Sequence, residues 1–386
     1  MKFKLAFLLL IVTASCSTDI EKPDHSTTKL SSPSQPEPVP RIGQKIQVTL
    51  ILDTSNSMDG LIEQAKSQLW TIVNHISRLK INNEQPQIEI SLYEYGNDRL
   101  DYRKDYVKKL TNLTTELDSV SERLFALRTD GGEEFCGAVL HQSLSQLEWK
   151  NDKTSYKVIF IAGNESFDQG ITPFITSCEL AKNKDVFINT IFCGDPEEGI
   201  RTHWKKGAKN ANGVYMSIAQ NETTTYIESP YDDSILSLND SLNDTYMYYG
   251  SLGRTKFSNI GYQDYNASKY GSSNSVNRTV SKSGAAYFNK TWDLVDAHKE
   301  ANFEVDSVDK SGLQKEYQEL NSNQLLAEIQ RQSERRAKFQ KMISAYNKKR
   351  IAYTDEIRLN ENPDGLEYAI VQAIKTQAAS KGFTYD

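Results

Sequence analysis

Residues 46–58 read Ile-Gln-Val-Thr-Leu-Ile-Leu-Asp-Thr-Ser-Asn-Ser-Met. The nearly unbroken apolar run before Asp53 predicts a strand buried on both faces. Asp53, Ser55 and Ser57 then place a carboxylate and two hydroxyls on one tight turn at its end. Hard cations such as Mg²⁺ take oxygen ligands and keep several waters, so this set holds an ion only weakly until a further oxygen arrives. The competing reading of the two serines is that they cap the helix that follows, since Ser favours that position.

Working outward, Leu61, Ala65, Leu69, Ile72, Val73, Ile76 and Leu79 recur at helical spacing over 60–80, which predicts a helix with one buried stripe. "QIEISLYEYG" (87–96) alternates as a strand, and "DYVKKL" is a candidate edge strand. Helices are predicted at 114–127, 134–148 and 172–184, and buried strands at 156–163 and 186–194. Strands alternating with helices mean βαβ units and a mostly parallel sheet, whose ligands bind beyond the carboxyl ends of the strands. At those ends the loop "LRTDGGEEFCGAVL" offers Thr129, Asp130, Glu133 and Glu134 around a flexible glycine pair. The segment "AGNESFDQG" offers Asn164 and Glu165. A turn-stabilising role is the alternative for Asn164.

The segments "LILDTSNSM", "GGEEFCGAVL", "VIFIAGNESFDQG" and "INTIFCG", in this order over 46–220, resemble the von Willebrand factor A (vWA) domains of exported bacterial lipoproteins. The resemblance implies a doubly wound, Rossmann-like α/β sheet carrying a metal-ion-dependent adhesion site (MIDAS). It implies a metal set of Asp53, Ser55, Ser57, Thr129, Glu133, Asn164 and Glu165. Glu133 holds the place of the family's threonine, and Asn164 the place of its aspartate. The implied cofactor is Mg²⁺, with Mn²⁺ or Ca²⁺ as alternatives, and the implied partner is a protein that completes the ion with an Asp or Glu carboxylate. A structural envelope scaffold with a degenerate metal site is the alternative. A metal-assisted hydrolase would need a positioned general base; Glu133, Glu134 and Glu165 are the nominees, with His141 and His203 within plausible reach. No H-E-x-x-H, G-x-S-x-G or Cys/His pairing is present, so the chain is read as a binding protein and not as an enzyme.

The first sixteen residues run from basic through apolar to small and end at Cys16, the order of a secretion signal. They read as a lipoprotein signal with Cys16 lipidated, the alternative being ordinary cleavage that leaves a plain thiol. Residues 17–45, centred on "SSPSQPEPVP", are too polar to fold and read as a disordered tether. The expected address is the cell envelope, with a lipid anchor in the outer membrane of a Gram-negative bacterium. The expected domains are the vWA domain at 46–230 and a mainly helical domain at 231–386, as the length calls for more than one core. A net charge of −6 argues against nucleic acid. Three further cysteines, Cys136, Cys178 and Cys193, suit either one disulfide, with Cys136 and Cys193 the candidate pair, or small buried thiols.

In the second half, 231–250 reads as a helix leading out of the first domain. Gln263, Asp264, Asn266, Trp292, Asp293 and Asp296 read as packing groups and not as a sugar or peptide site. Residues 310–350 read as one or two long helices whose basic residues, Arg331, Arg335, Arg336, Lys338, Lys341, Lys348, Lys349 and Arg350, form a solvated face, the alternative being a binder of anionic surfaces. A last helix is expected at 366–381.

Overall fold

The computed structural model describes residues 43–218, 226–269, 271–361 and 366–385; Cys16 and nearly all of the expected tether lie outside the described residues. Strand β1 (Lys45–Asp53) passes through a 3-10 turn at Asn56–Met58 into α1 (Ile62–Ile76). There follow β2 (Leu79–Lys80), β3 (Gln87–Tyr95), β4 (Val107–Thr114), α2 (Leu117–Ala126) and α3 (Cys136–Gln146). The sheet continues with β5 (Tyr156–Gly163), α4 (Phe174–Asn183), β6 (Phe187–Cys193), α5 (Pro196–Arg201), α6 (Trp204–Asn210) and β7 (Tyr215–Ile218). Beyond it come α7 (Asp232–Leu236), α8 (Asn239–Asn243), α9 (Gly253–Lys269), α10 (Ser272–Ser283), α11 (Leu294–Ala297), α12 (Lys315–Gln318), α13 (Ser322–Glu361), α14 (Leu366–Ala379) and β8 (Thr384–Tyr385).

Six strands lie in the order β4-β3-β1-β5-β6-β7. All pairings are parallel except β3 with β4, so the chain forms the expected doubly wound α/β sheet with a helical C-terminal region. The first connection runs from β1 outward to β3 and a later one returns to β5 on the opposite side. β1 is therefore the switch point, where a crevice opens beyond the strand ends. Because side chains alternate across a strand, Val48, Leu50 and Leu52 join one apolar cluster with residues of α1 and α2. Ile51 joins the other, with residues of α3, α4 and Trp204.

The helical segment beyond 230 has small apolar clusters of its own, yet Tyr246, Ile260, Tyr287, Trp292, Ile370 and Ile374 belong to the large cluster on the α1–α2 face. β8 also pairs with β2, and Gly43–Asp386 form one compact unit. The expected helix at 231–250 is instead the two short helices α7 and α8, with Tyr248 then bridging to Asp293.

Buried charge tethers this layer. Arg278 of α10 pairs with Asp118 of α2 at 2.9 Å and with Asp264 of α9 at 2.6 Å, and Lys282 meets the same Asp264 at 2.6 Å. Arg336 is not on a solvated face: only 2 % exposed, it pairs with Asp293 at 2.6 Å and Asp296 at 3.1 Å and donates to the Thr245 carbonyl at 2.8 Å. Arg350 likewise meets Asp232 at 3.1 Å, whereas Arg331 stays exposed. A buried pair contributes little net stability over an apolar substitute, but removing one partner strands the other charge. Arg336→Ala is therefore expected to cost about 3–5 kcal/mol in urea denaturation, with Arg331→Ala within about 0.5 kcal/mol of the parent; equal effects would contradict this assignment.

Candidate metal centre

The register places Asp53 opposite Tyr95 of β3, while the neighbouring Leu52 pairs with Ala162 of β5. Burial of β1 on both faces carries Asp53 to 0 % exposure. Its Oδ1 accepts the Ser55 backbone N–H at 2.8 Å, an Asx-type turn that reverses the chain. Met58, fully buried, then anchors the entry to α1. Thr54 and the loop after β3 are tied together by Asn97, whose Nδ2 donates to the Thr54 carbonyl at 3.1 Å and the Arg128 carbonyl at 3.0 Å. Gly96 is required here. Its φ of +75° suits glycine, and a Cβ would meet Asp53 Oδ1 at 2.7 Å and Glu134 Cγ at 2.9 Å.

The serines do not cap. Ser55 precedes the 3-10 turn without a side-chain capping bond, and α1 has none either. Instead Ser55 Oγ lies 2.8 Å from Ser57 Oγ, and Ser57 Oγ donates to Asn164 Oδ1 at 2.9 Å. Asn164 thus turns its amide oxygen toward the serines rather than bracing a turn. The Glu134 carboxyl lies close enough to Ser55 for the serine to act on it electrostatically. Asp53, Ser55, Ser57 and Asn164 are brought together as expected, and Glu165 is close enough to act electrostatically on Asp53 and Glu134.

Two expected ligands fall outside. Glu133 is exposed, and the inward residue is its neighbour Glu134, which the ligand set drawn from the resemblance omitted. Chain direction at the start of α3 explains the exchange: the Glu134 carbonyl accepts the Cys136 N–H at 3.2 Å, and adjacent residues there point to different sides. Thr129 donates its hydroxyl to Asp59 and not to the cluster. His141 is exposed on α3, and His203 sits on the rim 3.4 Å from Asp168. Cys136 and Cys193 do reach this end of the sheet, but both are free buried thiols, as is Cys178; Cys136 Sγ lies 3.5 Å from the Tyr95 hydroxyl. The disulfide alternative is not realised.

The cluster is rich in acceptors and poor in donors. Asp53 Oδ2 is buried without a hydrogen-bond partner, and among the described residues no Lys or Arg pairs with Asp53, Glu134 or Glu165. Burial, opposed in part by the Ser55 contacts and reinforced by Glu134 and Glu165, pushes the Asp53 carboxyl up to about 8. Burial and then Glu165 push Glu134 up to about 7. Among the described residues no group of three or more His, Cys, Asp or Glu is arranged to hold an ion; the donors that converge are carboxylate, hydroxyl and amide oxygens, a set that fits a hard divalent cation and not a soft one.

No family model matches the chain, and no curated protein does. Among solved structures, the conserved hypothetical protein BatB from Bacteroides thetaiotaomicron is similar at 13 % identity, covering 46 % of this chain and 92 % of that one, with a TM-score of 0.36. The SpRpn10 VWA domain is similar at 15 % identity over 46 % and 90 %, TM-score 0.36. Proximal thread matrix protein 1 from the mussel byssus, with a zinc-occupied MIDAS motif, is similar at 13 % identity over 47 % and 43 %, TM-score 0.34. Likenesses of this size bear no weight in the functional reading.

The raised carboxyls fix the sign of a pH effect. Unfolded carboxyls titrate near about 4, so between roughly pH 4 and the folded values of about 7 and about 8 the folded chain binds more protons than the unfolded one. Its stability then falls as pH rises through that window. In metal-free buffer the melting temperature of the wild type is expected to fall more steeply from pH 5 to pH 8 than that of Asp53→Asn/Glu134→Gln. Added divalent cation is expected to restore the wild type most at pH 8; superimposable profiles would contradict the assignment.

Proposed function

We propose that this chain is a vWA-type binding protein that holds a divalent cation at the end of β1 and meets a protein partner there. The observation that carries the reading is the fully buried Asp53 carboxylate, with one oxygen unpartnered beside Ser55, Ser57, Glu134 and the Asn164 amide oxygen. A buried anion without a partner is costly, and a cation would compensate it. Asp53, Ser55 and Ser57 would hold the ion, which supplies positive charge for a partner's Asp or Glu carboxylate. Ser57 is exposed and Asn164 half-buried, so the approach is open on that side. Mg²⁺ is the first choice, with Mn²⁺ and Ca²⁺ as the alternatives. Lipidation of Cys16 would tether this module to the envelope of a bacterium, the outer membrane in a Gram-negative cell, since two acyl chains suffice for stable anchoring.

The scaffold alternative draws on one observation: the bond from Ser57 to Asn164 satisfies the serine hydroxyls without an ion, and a protonated Asp53 would remove the charge. Calorimetric titration of Mg²⁺, Mn²⁺ and Ca²⁺ separates the two. Saturable binding by the wild type, abolished in Asp53→Ala with an unchanged circular dichroism spectrum, is the expected result. Absence of heat with all three ions would leave the scaffold. For the anchor, Cys16→Ser is expected to move the protein from the membrane fraction to the soluble one, and an unchanged distribution would contradict lipidation.

A further inference from the structure

We infer that Glu134 is the second carboxylate ligand of this centre, and that Asp53 and Glu134 together balance a divalent ion so that the protein retains it before any partner arrives. The inference rests on the cation-binding reading above and adds to it the source of the second charge and the order of events. Its first ground is placement. One point, the position a Cβ would take on Gly96, lies 2.7 Å from Asp53 Oδ1 and 2.9 Å from Glu134 Cγ, so the two side chains border one small space from β1 and from the start of α3. Glycine at that position keeps the space open.

The second ground is Asp53 Oδ2, fully buried at the same strand end and without a partner. The third is a count of protons. Ser57 gives its hydroxyl proton to Asn164 Oδ1 and the Ser55 hydroxyl lies against Ser57 Oγ, so the donor that reaches Asp53 is the Ser55 backbone N–H on Oδ1. The two carboxyls are therefore poorly supplied with donors, in a place where Glu134 is only 8 % exposed and where no basic side chain among the described residues pairs with either. A hard divalent cation relieves that shortage with its full charge matched by the two carboxylates. Ligand charge count is what sets affinity in oxygen sites. With two protein carboxylates the ion is held tightly enough to reside, and a partner meets an ion already in place.

The test uses the full-length protein and the metal alone. Mn²⁺ and Ca²⁺ are titrated calorimetrically, in a buffer free of carboxylates, into the wild type, Glu134→Gln and Glu133→Gln. The expected result is saturable wild-type binding, weakened about tenfold or more in Glu134→Gln, and unchanged within about twofold in Glu133→Gln, whose side chain is exposed. Wild-type binding with Glu134→Gln unaffected overturns this inference and leaves the cation reading standing; no wild-type binding overturns both. Equal weakening by the two variants reduces the effect to net charge and overturns the ligand role. Should Glu134→Gln not fold, Glu134→Asp keeps the charge and shortens the reach, and weaker binding is again expected, unaltered affinity being the overturning result. Wild-type binding that tightens more than about tenfold on addition of acetate would overturn retention without a partner.

Discussion

The centre of this molecule depends on an uncompensated charge. β1 runs buried on both faces and delivers Asp53 to a position with no exposure and one unpartnered oxygen. The carboxyl and amide groups nearby add acceptors: Glu134 from the start of α3, Glu165 after β5 and the Asn164 amide oxygen facing Ser57. Folding the chain without an ion therefore favours protonated carboxyls over bare ones. A site that must either take up protons or take up a cation is poised to bind one at neutral pH, and that choice links the fold to the function proposed.

The helical layer handles its charge differently. Asp118, Asp293 and Asp296 are buried and Asp264 is half-buried, but each faces an arginine or lysine, as in Arg278 with Asp118 and Asp264 or Arg336 with Asp293 and Asp296. Burial alone would raise a carboxyl, yet the Lys282 and Arg278 charges hold Asp264 well below the ordinary carboxylate range. Paired acids hold helices against the α1–α2 face; the unpaired ones sit at the strand ends. The contrast separates structural charge from charge left available to a ligand.

Much of the sheet could be read from the sequence because parallel strands buried on both faces leave continuous apolar runs, as at 46–52, 156–163 and 186–194. Asp53, Ser55, Ser57 and Asn164 were legible for the same reason, since each follows the end of such a run. The exchange of Glu133 for Glu134 was not, because two adjacent glutamates carry no periodicity and the backbone turn after Gly132 decides which one faces inward. β7 is too short, at four residues, to stand out. Arg336 was masked by the charges around it on α13: its partners, Thr245, Asp293 and Asp296, come from distant sequence, and only tertiary contact distinguishes it from exposed Arg331.

The most direct measurement is anomalous diffraction at the manganese edge from crystals soaked in Mn²⁺ near neutral pH. One strong peak is expected, bounded by the oxygens of Asp53, Ser55, Ser57 and Glu134 at the end of β1. A peak confined to surface carboxylates, with none beside Asp53, would contradict it.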